Sequence, residues 1–413
     1  MKSTKFLKQS LIFIIFIVSL IIGLYINENL SGGGIYDYNI HKRTIEDLFS
    51  KDLIYGFFNY DKLSNTHSPI FIILLSFIIS NNEFLGRFIY ILISSSIVII
   101  FYKSLKLKYK TNSLYLFLLS NFFLLSPYYR AYSIWPGDET LSLTLFCFSI
   151  YFCLKFILSS KKKIIYISFN VITLAAASYL RPIYCIFSIF FFFIFFLNNN
   201  FDLKKFYLYL ILNLLLAFPA YYYVFILEVD FFSRYFETIN FVTTITFVYL
   251  TIFFYLTPII LLDFKNILYK FNFLNFLLTV SIYILVLFFF NYEQSAGGGF
   301  YYRISKFLFN NDLLVYLIFP FAFYYTNQIL ELHNKKNLIL FLLLIVIEID
   351  GHFYMESYDP LFYVLLFSLF DTKKIRNLPI DLSKTVLVIF IFQFSLLFLK
   401  FFQLNVINTY NLS

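Results

Sequence analysis

Residues 190–197 read FFFFIFFL, and residues 338–347 read LILFLLLIVI. Neither run alternates apolar with polar residues, as a strand of a membrane barrel does. A backbone in lipid must satisfy its own polar groups, so continuous apolar runs of this kind read as helices. The rest of the chain agrees. Of 413 residues, 61% are hydrophobic, 24% aromatic and only 13% charged, and the mean hydropathy is +0.79. A soluble domain is roughly 45–50% apolar and about 25% charged. No soluble fold of this length could hide so much apolar surface, so the expected solvent is lipid and the expected class an all-α polytopic membrane protein.

The formal charge of +9 would suggest nucleic acid if the basic residues shared a soluble face. They lie instead in short loops between apolar runs, where they set topology. Clusters fall at Lys2–Lys8, Lys103–Lys110, Lys161–Lys163, Lys204–Lys205, Lys265–Lys270, Lys335–Lys336 and Lys373–Lys384. With all of them in the cytoplasm, the apolar stretches at 11–27, 84–102, 113–130, 138–158, 164–180, 182–197, 206–227, 241–262, 272–290, 312–330, 337–350, 357–370 and 384–403 give about 13 spans. The stretch 69–80 is too short to cross and reads as interfacial or re-entrant. The N-terminus is then cytoplasmic, the first apolar stretch is an uncleaved span, and residues 1–413 form one membrane domain with no soluble one. The three cysteines, Cys147, Cys153 and Cys185, sit inside apolar runs and read as packing. No glycine-rich loop of the ATP-binding kind is present.

Polar residues collect on the face opposite the lysines. The large first external loop, 28–68, carries Asp37, His41, Lys42 and Arg43, an amphipathic stretch Ile45–Phe58 suited to the membrane surface, and then His67-Ser68-Pro69. A second cluster holds Arg130 and Trp135-Pro136-Gly137-Asp138-Glu139-Thr140. A third is Gly297-Gly298-Gly299 with Arg303 and Lys306, and a fourth runs from Asp350 and His352 to Glu356, Tyr358 and Asp359. Ionisable groups near membrane depth are expensive and mark functional candidates. Ordinary roles are open to each. Asp138 or Glu139 suits a helix start, His67 can cap the segment after it, and Arg130 and Arg303 can snorkel at the interface.

The order of these motifs resembles the GT-C membrane glycosyltransferases, in the branch of bacterial protein mannosyltransferases and the aminoarabinose transferase of lipid A. Tyr36-Asp37-Tyr38 stands where that family has an acidic motif, and His67-Ser68-Pro69-Ile70 where it has a His-Pro-Pro-Leu type motif. Leu85-Gly86-Arg87-Phe88 matches an Arg-rich crossing. Pro136-Gly137-Asp138-Glu139-Thr140-Leu141 opens a span, Ala175-Ala176-Ala177-Ser178-Tyr179-Leu180-Arg181-Pro182 matches a small-residue helix with a Thr-Arg-Pro type turn, and Glu356-Ser357-Tyr358-Asp359-Pro360 a late Glu-Arg-Tyr-x-x-Pro type motif. Asp37 lacks an acidic neighbour, position 68 is serine and position 357 is serine, where the family has acid, proline and arginine.

The resemblance implies a GT-C-like helical bundle whose first external loop contains interfacial helices. It also implies an inverting transfer of a sugar from a polyprenyl-phosphate donor to a lipid, glycan or protein acceptor, outside the bacterial inner membrane. Asp37 would be the base, with Asp138 or Glu139 facing it. His67, Arg303, Lys306 and Arg181 would meet the donor phosphate, and Glu356 and Tyr358 the substrate. Some members use a divalent metal; no ligand set for one stands out here. Two other readings stay open, an O-antigen-type polymerase or ligase and a lipid-linked glycan flippase. The first usually places its large loop late, and the second should show internal repeats.

Overall fold

A computed structural model describes residues 2–402 apart from 31–32, 50–51, 63–64, 66, 80–81, 112, 160–161, 198–201, 230–239, 263–271, 294–296, 348–352 and 378–381. All its regular structure is helical among the described residues. Among the described residues, seven helices are long and apolar enough to cross a membrane: Leu7–Tyr25, Glu83–Tyr109, Asp138–Leu158, Lys163–Leu180, Leu203–Ile226, Phe241–Leu262 and Leu382–Phe401. Each overlaps a span expected from the sequence. The chain packs as two compact units, residues 1–233 with 390–413, and residues 234–389.

The first unit holds α1 (Lys2–Tyr25), α2 (Gly34–Thr44), α3 (Leu53–Phe58), α4 (Pro69–Ile79), α5 (Glu83–Ser95), α6 (Ile97–Tyr109), α7 (Leu114–Ser120), α8 (Pro127–Ile134), α9 (Asp138–Leu158), α10 (Lys163–Leu180), α11 (Phe187–Phe196) and α12 (Leu203–Tyr221). Side-chain oxygens start several of them. Asn82 accepts from Leu85 N at α5, Ser113 from Tyr115 N at α7 and Asp202 from Lys205 N at α12, each satisfying an N–H that the helix leaves open. The stretch 113–130, expected as one span, is three pieces. α7 stops at Ser120, a 3₁₀ turn covers Phe122–Leu125, and α8 starts at Pro127. Ser126 is extended (φ −61°, ψ 124°), as a residue before proline prefers, and its hydroxyl caps α8. That dipeptide ends the 3₁₀ turn and starts a new helix in mid-run.

Between lipid-soluble helices the hydrophobic effect supplies little, so contact geometry and hydrogen bonds decide the packing. α9 leans on α10 through Asn170, whose Nδ2 donates to Ser149 O (2.8 Å) and Ser149 Oγ (2.7 Å). Phe146 meets Tyr184, Phe187 and Phe191 below it. α4 and α5 pass so closely at Gly86 that an added Cβ would lie 2.7 Å from Ile78 O and 2.9 Å from Ile79 Cα. Those are backbone atoms and cannot swing away. Gly86→Ala should therefore destabilise the protein by about 1–3 kcal/mol, read as a lower midpoint of thermal unfolding in detergent. An unchanged midpoint would contradict this tight α4–α5 crossing.

The second unit holds α13 (Phe241–Leu262), α14 (Phe273–Phe289), α15 (Gly299–Phe309), α16 (Leu313–Ile329), α17 (Lys335–Val346), α18 (Leu361–Ser368) and α19 (Lys373–Asn377); α20 (Leu382–Phe402) ends the described chain. Several helices at expected spans are shorter than those seven among the described residues. α14 and α16 have 17 residues each, α17 has 12 and α18 has 8. α13 organises this unit. Tyr249 packs on Phe323 and Phe341 and donates to Asn327 Oδ1 at 2.9 Å. Gly298 takes φ 83°, a left-handed backbone that a side chain disfavours, and its N–H donates to Phe353 O at 2.9 Å. This starts α15.

Candidate functional site

The first unit gathers Asp37, His67, Asp138, Glu139 and Arg181, five of the nine residues singled out in the sequence. Each is held by its own local structure. Asp37 lies in the first turn of α2, where the helix dipole favours a carboxylate. Tyr132, on α8, donates its hydroxyl to Asp37 Oδ2 at 3.0 Å.

His67 sits in the short run before α4, and that run is tied at every residue described. Asn65 Nδ2 donates to Thr44 Oγ1 at 2.8 Å, while Asn65 Oδ1 accepts from His67 N at 3.0 Å. Tyr60 donates its hydroxyl to His67 O at 2.7 Å, and Ser68 Oγ donates to Tyr179 O. Ser68 thus anchors the loop to the end of α10. The imidazole then reaches Asp138, with Nδ1 3.4 Å from Oδ1. That is an ion-pair contact without the alignment of a hydrogen bond, so Oδ1 keeps its capacity to accept one.

Asp138 and Glu139 open α9, and the turn before them is fixed by aromatic residues. Arg87 lies 3.5 Å over the Trp135 ring and donates its Nε–H to Ile134 O at 2.9 Å. Tyr90 donates its hydroxyl to Gly137 O. Trp135 donates Nε1–H to Glu28 O at 2.9 Å. Arg181, at the end of α10, comes 3.7 Å from Glu139 Oε1. The result is a half-enclosed set of three carboxylates and two cations at the N-terminal end of an apolar helix.

Burial pushes the Asp37 carboxyl up from the ordinary 3.8. The fields of His67 and Arg181 and the Tyr132 hydrogen bond oppose that without cancelling it. For His67, burial works against the charged ring, but the Asp138 carboxylate and then Asp37 outweigh it and raise its pKa above 6.5. His41 goes the other way: burial and then the His67 charge hold it well below 6.5. The signs for stability follow from linkage. The His67 contribution is fully present below pH 6.5 and is lost as pH rises through the higher folded value. The neutral His41 costs nothing above pH 6.5 and subtracts stability as pH falls below it.

The other four candidates belong to the second unit. Arg303 donates Nε–H to Gly297 O at 3.0 Å, and Lys306 pairs with Asp312 at 3.1 Å and lies over the Tyr302 ring. Glu356 stands in a 3₁₀ turn, Met355–Ser357. Tyr358 is fully buried, stacks on Phe353 and donates its hydroxyl to Leu344 O at 2.9 Å. Asp350 and His352, from the fourth polar cluster, lie outside the described residues. Arg130 does not snorkel: it is buried against Glu28, with Nε to Oε1 and Nη2 to Oε2 both at 2.6 Å.

Two residues of the cluster were not assigned from the sequence, Tyr132 and His41. Tyr132 had no motif to announce it. His41 follows Asp37 by four, the spacing of one helix face, but the amphipathic stretch expected in this loop was placed at Ile45–Phe58, and α2 covers Gly34–Thr44. Among the described residues, no group of three or more His, Cys, Asp or Glu is placed to hold a metal ion. No family model, no curated protein and no solved structure matches this chain.

Proposed function

We propose that the chain is a membrane glycosyltransferase. It moves a sugar from a polyprenyl-phosphate donor to a lipid, glycan or protein acceptor on the external face of the bacterial inner membrane. The observation that carries the reading is the cluster itself: a carboxylate raised by burial beside an imidazole charged by a second carboxylate, at the mouth of an apolar helix. A donor whose tail stays in the bilayer calls for a reacting site at that depth.

In this reading Asp37 accepts the proton of the acceptor hydroxyl as its oxygen attacks the anomeric carbon. The bond from that carbon to the phosphate oxygen breaks, and its electron pair leaves with the phosphate. A phosphate is stable as an anion and needs cations rather than an acid. His67, held charged by Asp138, and Arg181, held loosely by Glu139, supply that charge. Displacement in one step inverts the anomeric centre. Protein in liposomes, given polyprenyl-phosphate sugars of known configuration, should yield product of the opposite configuration; retention would rule out a single displacement.

The pH dependence carries a sharper expectation. The reaction needs Asp37 deprotonated and His67 protonated, so kcat/KM should be bell-shaped. Its acid limb should lie above the usual carboxylate range and its alkaline limb above 6.5, following the two raised values. Asp138→Asn removes the largest support for the His67 charge, so it should move the alkaline limb to lower pH; the Asp138 charge also raises Asp37, so the acid limb should move in the same direction by less. An alkaline limb that stays put in this variant would remove His67 from the reaction.

A further inference from the structure

His41 is fully buried on α2, one turn beyond Asp37, and neither of its ring nitrogens has a hydrogen-bond partner. Polar atoms left like this are costly. Its ring stands against two others. The His67 ring lies 4.5 Å away, centroid to centroid, at 88°, and the Phe71 ring 5.4 Å away at 74°. The charged groups facing this pair are Asp138, Asp37 and Arg181, all toward His67; on His41 itself the fields are those of His67 and Asp138.

We propose that His41 is a positioning residue, a neutral buried ring against which the His67 imidazolium is held edge to face and turned toward Asp138. A perpendicular pair at 4.5 Å allows the charged ring to set its edge on the neutral ring's face, and an attraction of the cation–π kind is worth more the less water there is. A ring between Phe71 and His67 also fixes the plane of the His67 ring, so Nδ1 keeps its carboxylate and Nε2 is left for an incoming anion. The role requires that His41 stay uncharged. Burial, and then the charge on His67, see to that. Its consequence for catalysis rests on the transfer reading above.

The test separates the two. The chain has four histidines, so ¹⁵N-histidine NMR of protein in lipid nanodiscs can follow each ring through a pH titration. In wild type, His41 should stay neutral at pH 6.5 while His67 is charged. His41→Leu fills the space without a ring and should lower the His67 midpoint by about one pH unit, the size of a desolvated contact of this kind. His41→Phe restores a ring face and should bring that midpoint back to near the wild-type value. The alkaline limb of transfer should follow the same order. A charged His41 in wild type, or a His67 midpoint that His41→Leu does not move, would overturn the proposal. If the titrations behave as stated but wild type transfers no sugar, the ring contact stands and the transfer reading fails. The wild-type titration alone decides the matter if His41→Leu does not fold.

Discussion

Asp37→Asn is expected to slow sugar transfer by about 10²–10⁴-fold, the usual worth of a positioned general base, while donor binding stays close to wild type. The substituted amide has the same shape, and its carbonyl can still accept from Tyr132, which now donates to Asp37 Oδ2. What it cannot do is take a proton. The protein should not lose stability, because burial already disfavours the charged carboxylate at this position. The loss should therefore appear in kcat at saturating donor and leave KM for the donor little changed. A variant that transfers at the wild-type rate would move the role of base to Asp138 or Glu139. A variant that loses donor binding and kcat together would make Asp37 a binding group.

The second large effect concerns the fold beneath the site. Glu28 and Arg130 form a bidentate pair whose side chains are only 8% and 5% exposed. Arg130 also donates to Ser19 Oγ, Ser19 O and Leu124 O, so one guanidinium ties α1 to the break before α8. Removing one partner of a buried pair leaves an uncompensated charge and costs about 3–5 kcal/mol. Arg130→Ala should lose that much, seen as a collapse of the monodisperse fraction after detergent extraction or a large fall in unfolding midpoint. Glu28→Gln with Arg130→Met should be far less damaging than Arg130→Ala alone, since no charge is then left behind. A single variant as stable as wild type would contradict this account of α1 packing.

The sequence was most legible where the signal is local. Residues 138–158 and 241–262 are apolar runs of crossing length, and the helices fall at Asp138–Leu158 and Phe241–Leu262. The short apolar stretch 69–80 is α4, Pro69–Ile79. Hydropathy failed where short backbone signals interrupt it: α7 stops at Ser120 before Asn121, and Ser126-Pro127 starts a new helix within 113–130. α17 and α18 cover only part of the apolar runs 337–350 and 357–370 among the described residues.

For the site, residue type was readable and pairing was not. His67 and Asp138 stand out as ionisable residues among apolar ones, yet nothing local says that they touch. Glu28 was passed over because its partner, Arg130, lies 102 residues away. His41 looked like one more polar loop residue, and only the fold shows it fully buried against His67. Sequence periodicity finds faces of elements; it does not find which faces meet.

The central claim is that the chain breaks the bond between a sugar and a polyprenyl phosphate. The direct measurement is the fate of a polyprenyl-phosphate sugar, labelled in both lipid and sugar, in liposomes containing the wild-type protein and a pool of acceptors. The account predicts free polyprenyl phosphate appearing in step with sugar on the acceptor. Donor that stays chemically intact, whether or not it changes leaflet, would contradict it.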